Sequence, residues 1–132
     1  MIRGPIVPFL KMLQKYPEYE QEVKVPEKVW LLRIWYMYEQ DVCTLIDVNE
    51  QERKVKIRNY TDKIMFRAFG TIDDPDYNDY LEFLESRCFP ESRDKMKLIL
   101  KDLGLPFYDP IMIIEKTAGR MAEDDFWIRI ER

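Results

Sequence analysis

The spacing of hydrophobic and polar positions changes twice along this chain. Near the start, Ile6, Phe9, Leu10 and Leu13 fall at i, i+3, i+4 and i+7, which predicts a short helix over 5–16 with one apolar stripe. Pro5 suits the first turn of such a helix, and Pro8 suits it less. Residues 16–26 then turn polar and acidic, so 1–28 reads as a helix and connector ahead of the main fold. Residues 29–38 (VWLLRIWYMY) are the most apolar stretch, and their aromatic content predicts a strand, although Pro26 is equally able to open a helix. A second strand over 42–48 and a third over 53–60 follow, separated by polar turns at 39–41 and 49–52. Connections this short imply an antiparallel meander. Residues 64–69 read as an edge strand or a buried loop.

Beyond Gly70 the period becomes helical. Asp73-Asp74-Pro75 supplies N-terminal signals, and Tyr77, Tyr80, Leu81, Leu84 and Cys88 follow at helical spacing. Phe89-Pro90 stops that helix. Ser92 is placed to cap the next, whose face is Met96, Ile99, Leu100 and Leu103, with Gly104 closing it. Asp109-Pro110 opens a third helix, apolar all round at 111–114 and therefore expected to be the most buried, and Gly119 ends it. Residues 126–130 have a strand-like pattern. The expectation is an α+β fold, an antiparallel β-meander followed by a three-helix half with a candidate C-terminal strand, forming a single domain over 29–132.

Composition narrows the chemistry. The 132 residues are 46% hydrophobic and 35% charged, which fits one globular domain. No apolar run reaches the ~18 residues of a membrane span, and no signal-peptide layout is present, so a cytoplasmic protein without a membrane partner is expected. The absence of histidine removes His-based triads, Cys–His pairs and the usual zinc sites. Cys43 and Cys88 match no CxxC pattern and read as small buried hydrophobes. The four glycines are isolated, so no phosphate-cradling loop can be built. The acidic runs Asp73-Asp74-Pro75-Asp76 and Glu123-Asp124-Asp125 fit no EF-hand loop and carry no metal expectation, and the first is better explained by capping and dipole charge at a helix start. No catalytic residues, metal site or cofactor are expected, and the reading is a non-enzyme.

Charge and aromatics supply the candidate contacts. Residues 1–70 carry a net charge of +2 and residues 71–132 a net charge of −6, an imbalance that argues against a dedicated nucleic-acid binder. Arg53, Lys54, Lys56 and Arg58 alternate with apolar residues. In a strand they would form a solvated face, or contact an anionic ligand. Trp30, Trp35 and Trp127 read first as packing residues and second as interface residues. Arg67 and Phe69, within Met65-Phe66-Arg67-Ala68-Phe69, form a candidate partner patch in a loop.

One stretch is more specific. Arg87-Cys88-Phe89-Pro90-Glu91-Ser92-Arg93 precedes a helix closing in Leu103-Gly104. Gly119-Arg120-Met121-Ala122-Glu123-Asp124-Asp125-Phe126-Trp127-Ile128 follows. This resembles a segment of HipA-like kinase proteins of gut Firmicutes, in which an R-x-x-P-x-S/T-R run, a helix ending in Leu-Gly and a Gly-x-x-x-x-Asp-x-aromatic-Trp run stand ahead of the kinase body. The likeness extends over about residues 29–130 and includes the small β-rich start of those proteins. The ATP-cradling loop and the catalytic Asp–Asn pair have no counterpart here. The resemblance therefore implies a separate regulatory or antitoxin-like chain that restrains a kinase. Arg87, Arg93 and Trp127 are its candidate partner contacts, and either arginine could instead brace the tail through Asp124 or Asp125.

The function expected is a non-catalytic protein-binding module, an accessory chain of a HipA-like kinase, with a kinase-like or defence-system protein as partner. The alternatives are a mobile-element or phage-encoded inhibitor of a defence nuclease and, third, a nucleic-acid adaptor using residues 53–58.

Overall fold

The computed structural model describes the backbone of residues 7–8 and the whole of residues 25–132. The strands are β1 (Val7–Pro8), β2 (Leu32–Tyr38), β3 (Asp41–Asn49), β4 (Lys54–Asn59) and β5 (Phe126–Glu131). Three helices, α1 (Tyr77–Ser86), α2 (Met96–Leu103) and α3 (Pro110–Thr117), lie between β4 and β5. The fold is α+β, with the meander first, the helices second and a C-terminal strand. That last strand returns to pair antiparallel with β2 from Arg33↔Glu131 to Tyr38↔Phe126. β3 carries β2 along one side, and β4 and β1 in succession along the other.

β2 is thus an interior strand, which explains why its sequence is apolar without alternation: both faces are covered. On one face Leu32, Ile34 and Tyr36 join Ile46, Val48 and Ile128 beneath Phe83, Leu84, Ile113 and Ile114 of the helices. On the other, Trp35 and Met37 join Val42, Leu45 and Tyr60, with Val25 and Trp127 packed against them. Arg33 is buried on this second face, where its Nε and Nη2 donate to the carboxylate of Asp47 directly across the strand pair (2.7 and 2.9 Å). Cys43 is an extra residue between the pairs Tyr36↔Thr44 and Met37↔Val42, a bulge that turns its thiol into the core. Cys88 is buried as well, and burial pushes both thiols up to about 12, so they act as hydrophobes.

Several local expectations change. The helix over 5–16 is contradicted at Val7–Pro8, which pairs with Val42 and Asp41 as a strand; a proline fits there because the ladder can end at a residue with no N–H. The remainder of that helix lies outside the described residues. β2 starts at Leu32 rather than 29, leaving Val29 and Leu31 exposed. Residues 64–69 hold no strand; Ile64–Phe66 is a 3-10 turn. α1 is capped by Asp76, reciprocally with Asp79, rather than by Asp73 or Asp74. Ser92 does not cap α2. Lys95 does, in a left-handed conformation with no side-chain bond, so α2 gains nothing from capping at its start. Asp109 caps α3 through the Ile111 N–H with Pro110 in the first turn, as its sequence indicated.

Candidate binding cleft

Arg87 is the residue around which the helical half closes on the sheet. It stands at the C-terminal end of α1 and is 7% exposed. Its Nε donates to the Gly119 carbonyl (3.0 Å) beyond α3, Nη1 and Nη2 grip both oxygens of Asp124 (3.0 and 3.1 Å), and Nη2 also reaches the Phe126 carbonyl (3.0 Å). The planar guanidinium fork suits this task, since it satisfies a carboxylate and two carbonyls at once. Hydrogen bonds from Arg87 hold the Asp124 carboxyl below the usual carboxylate range, with further help from the Phe126 N–H. The arrangement is the Arg–Asp brace between helices and tail that the sequence allowed for.

The same atoms close the edge of the sheet. Phe126 gives its N–H to Asp124 and receives Arg87 at its carbonyl, and the Ile128 N–H donates to Ala118 O (2.7 Å) at the end of α3. Gly119 makes this approach feasible. It adopts a positive φ (62°), and a Cβ there would stand 3.0 Å from Ile128 Cδ1.

Outside the brace lies a cleft of about 380 Å³ between the turn after α1 and the loop joining α3 to β5. Cys88, Phe89, Ile113 and Met121 give it an apolar lining, while Arg93 and Arg120 line it with charge. Arg93 is exposed, its guanidinium 5.9 Å from the centre of the Phe89 ring. Arg120 is exposed, 5.2 Å from the Trp127 ring. Trp127, on the other face of the sheet, is in turn anchored by its indole N–H on Glu39 O (2.6 Å) in the β2–β3 turn. No carboxylate among the described residues forms an ion pair with Arg93 or Arg120. The charge of Arg87 is matched by Asp124, and the cleft's other charged lining residue beside these two arginines is Glu123. A guanidinium resting on an aromatic face keeps its N–H donors directed outward, ready for a carboxylate or phosphate.

The proposed contact residues therefore separate. Arg87 and Arg93 line this cleft, whereas Trp127 packs on the other face of the sheet with Trp35 and Met37 and meets the cleft only through Arg120. Arg120, which sequence reasoning did not single out, completes the cleft. Only its place directly after the helix-ending Gly119 hinted at a wall position. Arg67 and Phe69 lie elsewhere. Arg67 donates to Thr61 O (2.8 Å), and Phe69 is buried against Phe83 with ring centres 5.4 Å apart. Phe69 is thus a core residue and not a partner contact, because the 3-10 turn folds the loop back onto α1. Met65 remains the most exposed member of that patch.

No family model, curated protein or solved structure matches this chain.

The basic strand forms a second candidate surface. Lys54, Lys56 and Arg58 are exposed on one face of β4 while Val55 and Ile57 turn toward the core, the alternation that the sequence indicated. Arg53 leaves the group: its φ is positive (55°) and its guanidinium sits 4.7 Å from the Tyr77 ring on the helix side. Lys56 lies 4.8 Å from the ring of Trp30. Among the described residues no group of three or more Cys, Asp or Glu side chains is arranged to hold a metal ion, and no helix is long and apolar enough to cross a membrane.

Proposed function

We propose that this chain is a non-catalytic protein-binding module, a regulatory accessory chain of a HipA-like kinase, and that the cleft beside Arg87 is where it grips its partner. The observation that carries this reading is the placement of Arg93 and Arg120 on opposite walls of one cleft, each supported by an aromatic ring and neither in an ion pair among the described residues. The two stretches that resemble HipA-like proteins, 87–93 and 119–128, supply most of its lining, through Arg87 to Pro90 with Arg93 and through Arg120 to Glu123. A rigid notch with an apolar floor and two directed cations suits an acidic segment of a protein partner, since aromatic and Arg anchors dominate such contacts.

The test is co-purification from the native host with a tagged chain, followed by mass spectrometry, repeated with Arg93→Glu and Arg120→Glu together. A kinase-like partner recovered stoichiometrically by the parent chain and lost with the double variant is the expected result. A defence nuclease in place of a kinase would replace the accessory reading by an inhibitor. A partner retained undiminished by the double variant would move the binding site away from the cleft.

A further inference from the structure

The outer side of β4 forms a second surface, independent of the cleft. In an antiparallel ladder the N–H and C=O of one residue point to the same side, and successive residues alternate. The Tyr60 N–H donates inward to Cys43 O, and Leu45, Asp47 and Asn49 stand opposite Arg58, Lys56 and Lys54, so those residues bond inward and Val55 and Ile57 turn their backbone groups outward. No strand among the described residues pairs with that outer side. Beside it, on the sheet face opposite α1 to α3, residues 26–30 leave a groove of about 260 Å³ between Trp30 and the side chains of Lys56 and Arg58. A further cavity of about 360 Å³ lies on the far side of Trp30. Val29 and Leu31, the first at 79% and the second at 86% exposure, flank the ring.

We propose that β4 accepts an extended strand of a partner protein, one that alternates acidic with apolar residues. Strand addition sets partner side chains directly opposite those of β4, face for face. The residues sharing a face with Lys54, Lys56 and Arg58 must then be carboxylates. Those sharing the other face lie beside the half-buried Val55 and Ile57 and must be apolar. Acidic groups already beside the basic residues of β4 are Glu27 and Asp47, which line the groove with Lys56 and Arg58, and Glu52, which meets Lys54. Glu52 makes an exposed contact with Lys54 that a partner carboxylate can displace, and Asp47 is held by Arg33. A second copy of this chain is a poor occupant. Pairing β4 with itself sets Lys and Arg against Lys and Arg, and none of β2 to β5 alternates acid with apolar residues.

The test uses the whole chain and the synthetic heptapeptide acetyl-Val-Glu-Val-Glu-Val-Glu-Val-amide, with a lysine-for-glutamate version and a version N-methylated at its valines. Binding of the glutamate peptide is expected to slow hydrogen exchange at the Val55 and Ile57 amides. Binding should be lost with N-methylation and weaken about tenfold or more in Lys56→Glu with Arg58→Glu, a variant expected to prefer the lysine peptide. No added protection at Val55 and Ile57, or equal binding of the two peptides, would overturn the proposal. So would tighter binding of a mixed-sequence single-stranded oligonucleotide at the same residues, which would make the strand a nucleic-acid contact. Protection that grows with protein concentration alone would assign the edge to self-association instead. Loss of the kinase interaction in the cleft experiment would leave each of these outcomes unchanged.

Discussion

The two outer edges of the sheet have opposite characters. Along β5 the outward backbone groups of Phe126 and the N–H of Ile128 are taken by Asp124, Arg87 and Ala118, so the edge is sealed by a buried arginine with its carboxylate partner and the end of a helix. Along β4 the outward groups have no strand partner among the described residues, and protection from unwanted pairing comes from exposed Lys54, Lys56 and Arg58. The difference shows how one sheet can be closed where the helices hand over to its last strand and selective where it faces solvent. A sealed edge depends on every member of its network. A charged edge repels most strands and tolerates change.

The largest expected effect tests the sealed edge. Arg87→Ala leaves the exposed Asp124 to water but strips donors from the Gly119 and Phe126 carbonyls and removes a buried side chain; it should cost about 2–3 kcal/mol by urea denaturation. Arg87→Lys keeps the charge without the fork and should recover only part of that loss. Next comes the acid side of the pair. Asp124 has its carboxyl held below the ordinary value in the folded chain, so the unfolded chain binds the proton more readily. Stability from the pair is complete above about pH 4 and is lost as pH falls through the lower folded value. Asp124→Asn should be less stable near neutrality and should flatten that acid-dependent part of a thermal unfolding series.

Gly119→Ala should cost about 1–2 kcal/mol, from the left-handed backbone and from crowding Ile128, and should raise hydrogen exchange at the Ile128 amide. The smallest effect belongs to the charged edge. Lys56→Glu with Arg58→Glu should change the unfolding free energy by no more than about 0.5 kcal/mol, since both side chains are exposed and neither is in an ion pair among the described residues. A large loss there would mean that the charges of β4 serve the fold itself and would erase the contrast between the two edges.

Much of the architecture was legible because it is local. The alternation in 53–60 set the two faces of β4, the short turns required antiparallel neighbours, and Asp109-Pro110 specified the start of α3. The misread positions share a physical cause. Ser92 carries good capping chemistry, yet α2 begins at Met96 behind Lys95, where Leu100 packs into the core, whereas the cap of α1, Asp76, does come from the acidic run 73–76. Phe69 stands between Ala68 and Gly70, two residues after Arg67, and looked like part of a loop patch. A 3-10 turn returns it to Phe83, a contact 14 residues away that no local pattern encodes. Of the cleft, Arg87 and Arg93 were visible as residues, while Trp127 went to the other face of the sheet. Arg120 was not, because a lone arginine after a glycine carries no periodic signal.

The sequence by itself determined the kinds and order of the elements, the burial of Cys43 and Cys88, and the exclusion of histidine chemistry, since these follow from side-chain type and spacing. Tertiary structure alone decided that β5 joins β2, and that Arg87 rather than Arg93 holds Asp124. It also decided that Arg93 and Arg120 share one cleft and that Arg53 departs from its basic neighbours. Each of these depends on which distant segments lie side by side once both faces of β2 are buried, and hydrophobic burial has no direction of its own. The choice among arrangements fell to the few groups that do have direction, the guanidinium fork of Arg87 and the outward backbone of β5.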